Sequence, residues 1–201
     1  MARNNREMSV TTTTTSYIVS DKMARTIVWI GVAGYTVSAL TYVLKLLLNS
    51  IDYTFENFVK YGLLIIGFTL LSISTIIKAV EVQKDRKDME KPEFLFQKLT
   101  RMGWAFMTFH FITLYVLPHH THIYYLIALA GYVLLTMGQK LGVYMNVTFY
   151  VLSSIFMFMR PVVDYAILPS KVLNMFYMGG YAYIFARQYW DRKKQEKEHI
   201  A

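Results

Sequence analysis

The chain has no cysteine among its 201 residues. Disulfides, thiolate catalysis, zinc fingers and iron–sulfur clusters are thereby excluded. A cysteine-free chain suits oxidising and reducing environments alike, so the compartment is left open. A second absence concerns charge. Six long apolar blocks, at 26–44, 61–77, 102–118, 123–139, 141–159 and 172–186, contain no Asp or Glu. No GxSxG, HExxH, glycine-rich phosphate loop or paired carboxylate occurs anywhere, so no motif argues for an enzyme and no cofactor is expected. Within the first 25 residues no apolar h-region follows the charged start, so a cleavable signal peptide is not expected.

What is present is apolar bulk. Hydrophobic residues make up 55% of the chain and aromatic residues 16%. They are gathered into the six blocks, separated by charged punctuation, which is the pattern of membrane spans. The fold expected is an all-α integral membrane protein: six transmembrane helices in an antiparallel bundle with three outer-facing hairpins. A polar tail at 1–25, read as disordered, precedes a transmembrane domain at 26–190. A charged tail at 191–201 follows. The lipid bilayer is the first expected partner.

The net charge of +8 does not imply nucleic acid, because the basic residues flank the apolar blocks. With six spans, all but Lys45, Lys60, Arg160 and Lys171 of the 21 Lys and Arg residues fall on the side of the two termini. The positive-inside bias makes that side cytoplasmic. Trp29, Trp104 and Trp190 fall at the same interface. Tyr42, Tyr61, Tyr115, Tyr124 and Tyr125 fall near the opposite one. The lysines at the block edges are read as snorkelling side chains.

Among the spans, only the third carries a histidine. His110 stands in the middle of block 102–118, where an ionisable group suggests a transport pathway or, more plainly, a neutral imidazole linking helices. A haem held by two histidines of one chain is disfavoured, because no second midspan histidine exists. Three further histidines, His119, His120 and His122, crowd the stretch "LPHHTHIYYL" at 117–126. Pro118 ends the span there, and the polar tip of a hairpin accounts for them. Two alternatives are a metal site, with His122 joined by His119 or His120, and a proton-sensitive gate. In "RPVVDY", Arg160 and Asp164 stand four residues apart and can pair across one helical turn at an outer vestibule.

Small residues mark two faces for close helix packing: Gly31, Gly34 and Ser38 in the first span, and Gly179, Ala182 and Ala186 in the last. The charge runs "DRKDMEK" and "DRKKQEK" match at five of seven positions and read as two cytoplasmic segments drawing on the same residue types. The first hairpin, with "TYVLKLLLN" and "QKDRKD", resembles small bacterial inner-membrane proteins built from two-helix repeats. That likeness covers about a quarter of the chain and carries no distinctive motif.

The functional expectation is a non-enzymatic accessory or assembly partner in a membrane complex, or a homo-oligomer. The alternatives are a small-solute channel or transporter with His110 on its pathway, and an outer-face metal binder. A dry, solid bundle fits the accessory role, whereas a cavity reaching His110 from one face fits the transporter.

Overall fold

A computed structural model describes residues 21–48, 54–83, 91–116, 123–159 and 165–200. The described residues form six helices and no strands: α1 (Asp21–Leu47), α2 (Phe55–Gln83), α3 (Lys91–Val116), α4 (Tyr124–Thr136), α5 (Leu141–Phe158) and α6 (Leu168–Ile200). Among the described residues, three stretches are long and apolar enough to cross a membrane, namely Met23–Leu47, Phe55–Val80 and Leu141–Phe158.

Helix bounds depart from the apolar blocks for local reasons. α1 begins at Asp21, inside the segment read as a disordered tail. α3 starts at Lys91 rather than at Met102, because Pro92 in the first turn has no N–H to leave unsatisfied there. α6 runs without a break from the last apolar block through the charged tail to Ile200. α4 is the short one, with 13 residues. Gly138, at φ 76°, stops it: its N–H donates to Leu135 at 2.9 Å and that of Gln139 to Leu134 at 2.8 Å. This is a Schellman closure, whose left-handed residue glycine occupies without strain.

Each helix packs against its neighbours in chain order, and α6 returns to pack against α1, closing a ring. Polar pairs fasten most of the junctions. Thr36 meets Ser72 at 2.7 Å, Ser74 meets Thr100 at 2.8 Å and Tyr132 meets Tyr150 at 3.0 Å. Across the ring, from α2 to α6, the Lys78 ammonium donates to the Tyr181 hydroxyl. Tyr144 donates to the Ala182 carbonyl at 3.2 Å, and Asn174 donates to Ser38 at 2.9 Å. Interhelical bonds of this kind contribute about 0.6 kcal/mol each where a bilayer is the solvent.

Glycines set two of the crossings. Between α4 and α5, a Cβ on Gly142 would lie 2.5 Å from the Gly131 carbonyl oxygen. Between α1 and α6, Gly31 faces the Tyr177 ring, while a Cβ on Gly34 would lie 2.5 Å from Asn174 Oδ1. On α6, however, the close approach falls one residue from the expected position. A Cβ on Gly179 would meet nothing within 4 Å, whereas one on Gly180 would stand 2.7 Å from Ile27. The α6 contact face is thus Asn174, Tyr177 and Gly180, spaced by three, and a step of one residue turns about 100° away from it. Ala182 and Ala186 are half-buried.

The bundle buries several polar side chains within its apolar core and leaves large apolar ones on its surface. Ser38, Ser72, Ser74, His110, Asn146, Ser153 and Asn174 are buried, while Leu40, Leu44, Ile66, Ile73, Phe109, Ile155 and Phe176 are exposed. Apolar perimeters and buried polar side chains are what lipid selects. Asn146, which opens the glycosylation triplet Asn146-Val147-Thr148, is 0% exposed.

Candidate functional site

All six helices send side chains into one cavity of about 410 Å³, within the usual size range of small-molecule sites. The contributing positions repeat at helical spacing: Ser38, Tyr42 and Lys45 on α1; Lys60, Leu64 and Phe68 on α2; Met107, His110, Phe111 and Leu114 on α3; Tyr150, Ser153 and Met157 on α5; Ser170, Lys171 and Asn174 on α6. Steps of three and four hold a helix face inward. Short α4 adds Tyr124, Tyr125 and Tyr132. The cavity therefore occupies the end of the ring formed by the later parts of α1, α3 and α5 and the earlier parts of α2, α4 and α6.

Its walls are unevenly charged. Lys45, Lys60 and Lys171 line it, together with His110, and no Asp or Glu does so among the described residues. His110 Nδ1 lies 2.9 Å from the Lys60 main-chain carbonyl. A carbonyl can only accept, so Nδ1 carries the hydrogen and Nε2 is the nitrogen left for an occupant of the cavity. The ring is braced edge-on by Phe111 at 5.2 Å.

On the opposite wall the hydrogen bonds fix an amide. Ser38 Oγ donates to the Gly34 carbonyl at 2.8 Å, so it must accept from Asn174 Nδ2 at 2.9 Å. Asn174 Oδ1 then turns to Gly34, buried and without a partner.

An aromatic layer crosses the ring at the inner end of the cavity. Tyr35 lies 6.0 Å from Trp104 and 5.2 Å from Tyr177, and Trp104 stacks on Tyr132 at 5.6 Å. Trp104, expected at the membrane interface with Trp29 and Trp190, is 6% exposed and belongs to this layer. The early start of α3 places it more than three turns inside the helix.

The serines that line the cavity are committed to main-chain carbonyls. Ser153 and Ser170 donate to their own helix, at Tyr150 and Ile167, over 3.1 and 2.9 Å. The hydroxyl of Ser38 is committed to Gly34, and none of the three serines is bonded to His110. A serine nucleophile needs such a base beside it.

No family model, no curated protein and no solved structure matches the chain. The likeness of the first hairpin to two-helix-repeat proteins gains no support from that.

Of the residues singled out in the sequence, the structure brings His110 and Ser38 to the cavity and sets Gly31 and Gly34 behind it on the α1–α6 seam. His110 sits nearer one end of the ring than the middle of the apolar block implies, level with the start of α2. His119, His120, His122, Arg160 and Asp164 lie outside the described residues. Sequence reasoning missed the lysines, taking them for snorkelling edges, and took Tyr42, Tyr61, Tyr124 and Tyr125 for an interfacial belt although all four line the cavity. The usable signal was the charge partition itself. Of the four basic residues that it leaves on the minority side, three meet in this cavity.

Proposed function

We propose that the chain is a six-span, small-solute transporter whose cavity receives solute from the non-cytoplasmic side and presents it to His110. The observation that carries this reading is the cavity of about 410 Å³ that reaches His110 from the end of the ring holding Lys45, Lys60 and Lys171. An assembly partner without a ligand has no need of a polar chamber at its centre.

The packing order supports six antiparallel spans: α3 lies between α2 and α4, and α6 between α5 and α1. Their apolar runs are shortened by polar residues turned inward. α4, with 13 residues, is about 20 Å long against a core of about 30 Å, and local thinning or a polar vestibule accommodates the difference. Both termini are cytoplasmic by the positive-inside bias. A chamber open on one side and closed on the other by the Tyr35–Trp104–Tyr132–Tyr177 layer fits one state of an alternating-access cycle.

The test is solute-driven re-swelling of proteoliposomes, followed by light scattering across a panel of small neutral, anionic and cationic solutes. The expected result is flux for one class, abolished by His110→Trp, which fills the chamber. A folded protein that passes none of the panel, and that is recovered from mild detergent with a fixed partner, contradicts the proposal and favours the accessory role.

A further inference from the structure

We infer that the occupant of this cavity is an organic anion, its charged group held by Lys45, Lys60 and Lys171, and its apolar or aromatic body lodged against Phe111, Phe149 and the tyrosines below. The inference rests on the reading of the cavity as a solute site and narrows it to a ligand class.

Three features point to it. The first is the sign of the charge. Three lysines on three different helices line one chamber, and no carboxylate lines it among the described residues. In a low-dielectric surround such a set raises the local concentration of anions and repels cations. The second is donor chemistry. Lysines have only donors to offer. A carboxylate, sulfonate or phosphate oxygen is the matching acceptor. The third is the wall. Phe111 and Phe149 meet edge-on at 5.5 Å, and Tyr124 and Tyr125 lie 4.7 Å apart beside them. A bare inorganic ion would leave these faces against water, whereas an anion with an apolar body covers them. The same chemistry can come from a soluble organic acid or from the headgroup of an anionic lipid.

The absence of native cysteine supplies a clean probe. Ser153 lines the cavity on α5, and Ser153→Cys changes little more than the side-chain heteroatom. The rates at which this thiol reacts with 2-sulfonatoethyl methanethiosulfonate, an anion, and with its 2-trimethylammonium counterpart, a cation, are measured in nanodiscs. The reference is the ratio for a small thiol in solution. We expect the anion-to-cation ratio to exceed that reference by about tenfold at low ionic strength. It should fall towards the reference in Ser153→Cys chains that also carry Lys60→Gln or Lys171→Gln.

Protection then separates the sources. Slowing by 4-phenylbutyrate, but not by its uncharged amide, in phosphatidylcholine discs marks a soluble acid. Slowing on replacing phosphatidylcholine by phosphatidylglycerol marks a lipid headgroup. An anion-to-cation ratio at or below the reference, a ratio insensitive to both lysine variants, equal protection by acid and amide, or protection by neither acid nor lipid overturns the inference. If the amide protects as well as the acid, the solute site survives and only the anion is lost. If neither reagent reaches the thiol, the cavity reading itself fails.

Discussion

The imidazole of His110, on α3, donates from Nδ1 to the main-chain carbonyl of Lys60, on α2, at 2.9 Å. That bond ties two helices together and at the same time orients the ring, whose other nitrogen is left without that tie. Loss of the bond alone is cheap in a membrane setting, about 0.6 kcal/mol, because the Lys60 carbonyl also serves its own helix. His110→Ala is therefore expected to lower unfolding stability in detergent by no more than about 1 kcal/mol, while solute flux per folded molecule falls much further. A large stability loss with flux intact would assign His110 to structure alone.

The helix crossings give a second prediction with an internal control. A Cβ on Gly142 would collide with main chain, at 2.5 Å from the Gly131 oxygen and 2.8 Å from the Leu135 nitrogen, whereas one on Gly179 would enter open space. Gly142→Ala should cost about 1–3 kcal/mol through separation of α4 and α5. Gly179→Ala should change stability by no more than about 0.5 kcal/mol or raise it through helix propensity. Reversible unfolding in mixed micelles distinguishes the two, and equal effects would mean that the α4–α5 crossing is wrong.

A third concerns two buried tyrosines. The Tyr35 hydroxyl has no partner in the aromatic layer, while the Tyr132 hydroxyl bonds that of Tyr150 at 3.0 Å. Removing an unpaired buried hydroxyl relieves a desolvation penalty, and removing a paired one strands its neighbour. Tyr35→Phe is accordingly expected to leave the melting temperature unchanged or higher, with Tyr132→Phe lowering it by the equivalent of about 1 kcal/mol. The reverse order would show that Tyr35 finds a partner in the folded membrane protein.

The helical class of the fold was legible in the sequence because uncharged blocks are a one-dimensional signal. The three blocks now seen as the long apolar helices α1, α2 and α5 were the plainest. The ring was not legible, since α1 and α6 meet across the whole length of the chain and nothing local encodes that closure. Within the seam, the small-residue pattern found Gly31 and Gly34 but chose Gly179 over Gly180, because adjacent glycines give composition no phase. Tyrosines at a block end look alike whether they face lipid headgroups or a chamber, so Tyr42 and Tyr124 could not be sorted by position. His110 was noticed for its chemistry, and only the fold supplied the Lys60 carbonyl that orients it.

The central claim is a chamber at the heart of the ring, open to the non-cytoplasmic side and reaching His110. It is tested most directly by placing single thiols on the two faces of one helix. Ser153, 2% exposed, lines the cavity, and Ile155, 50% exposed, stands on the outer surface of α5. In oriented vesicles, Ser153→Cys is expected to react with a membrane-impermeant thiol reagent added to the non-cytoplasmic side and to be silent to the same reagent from the cytoplasm. Ile155→Cys, covered by lipid, should react from neither. Labelling of Ser153→Cys from the cytoplasmic side, or no labelling from either side in a folded protein, would contradict the account.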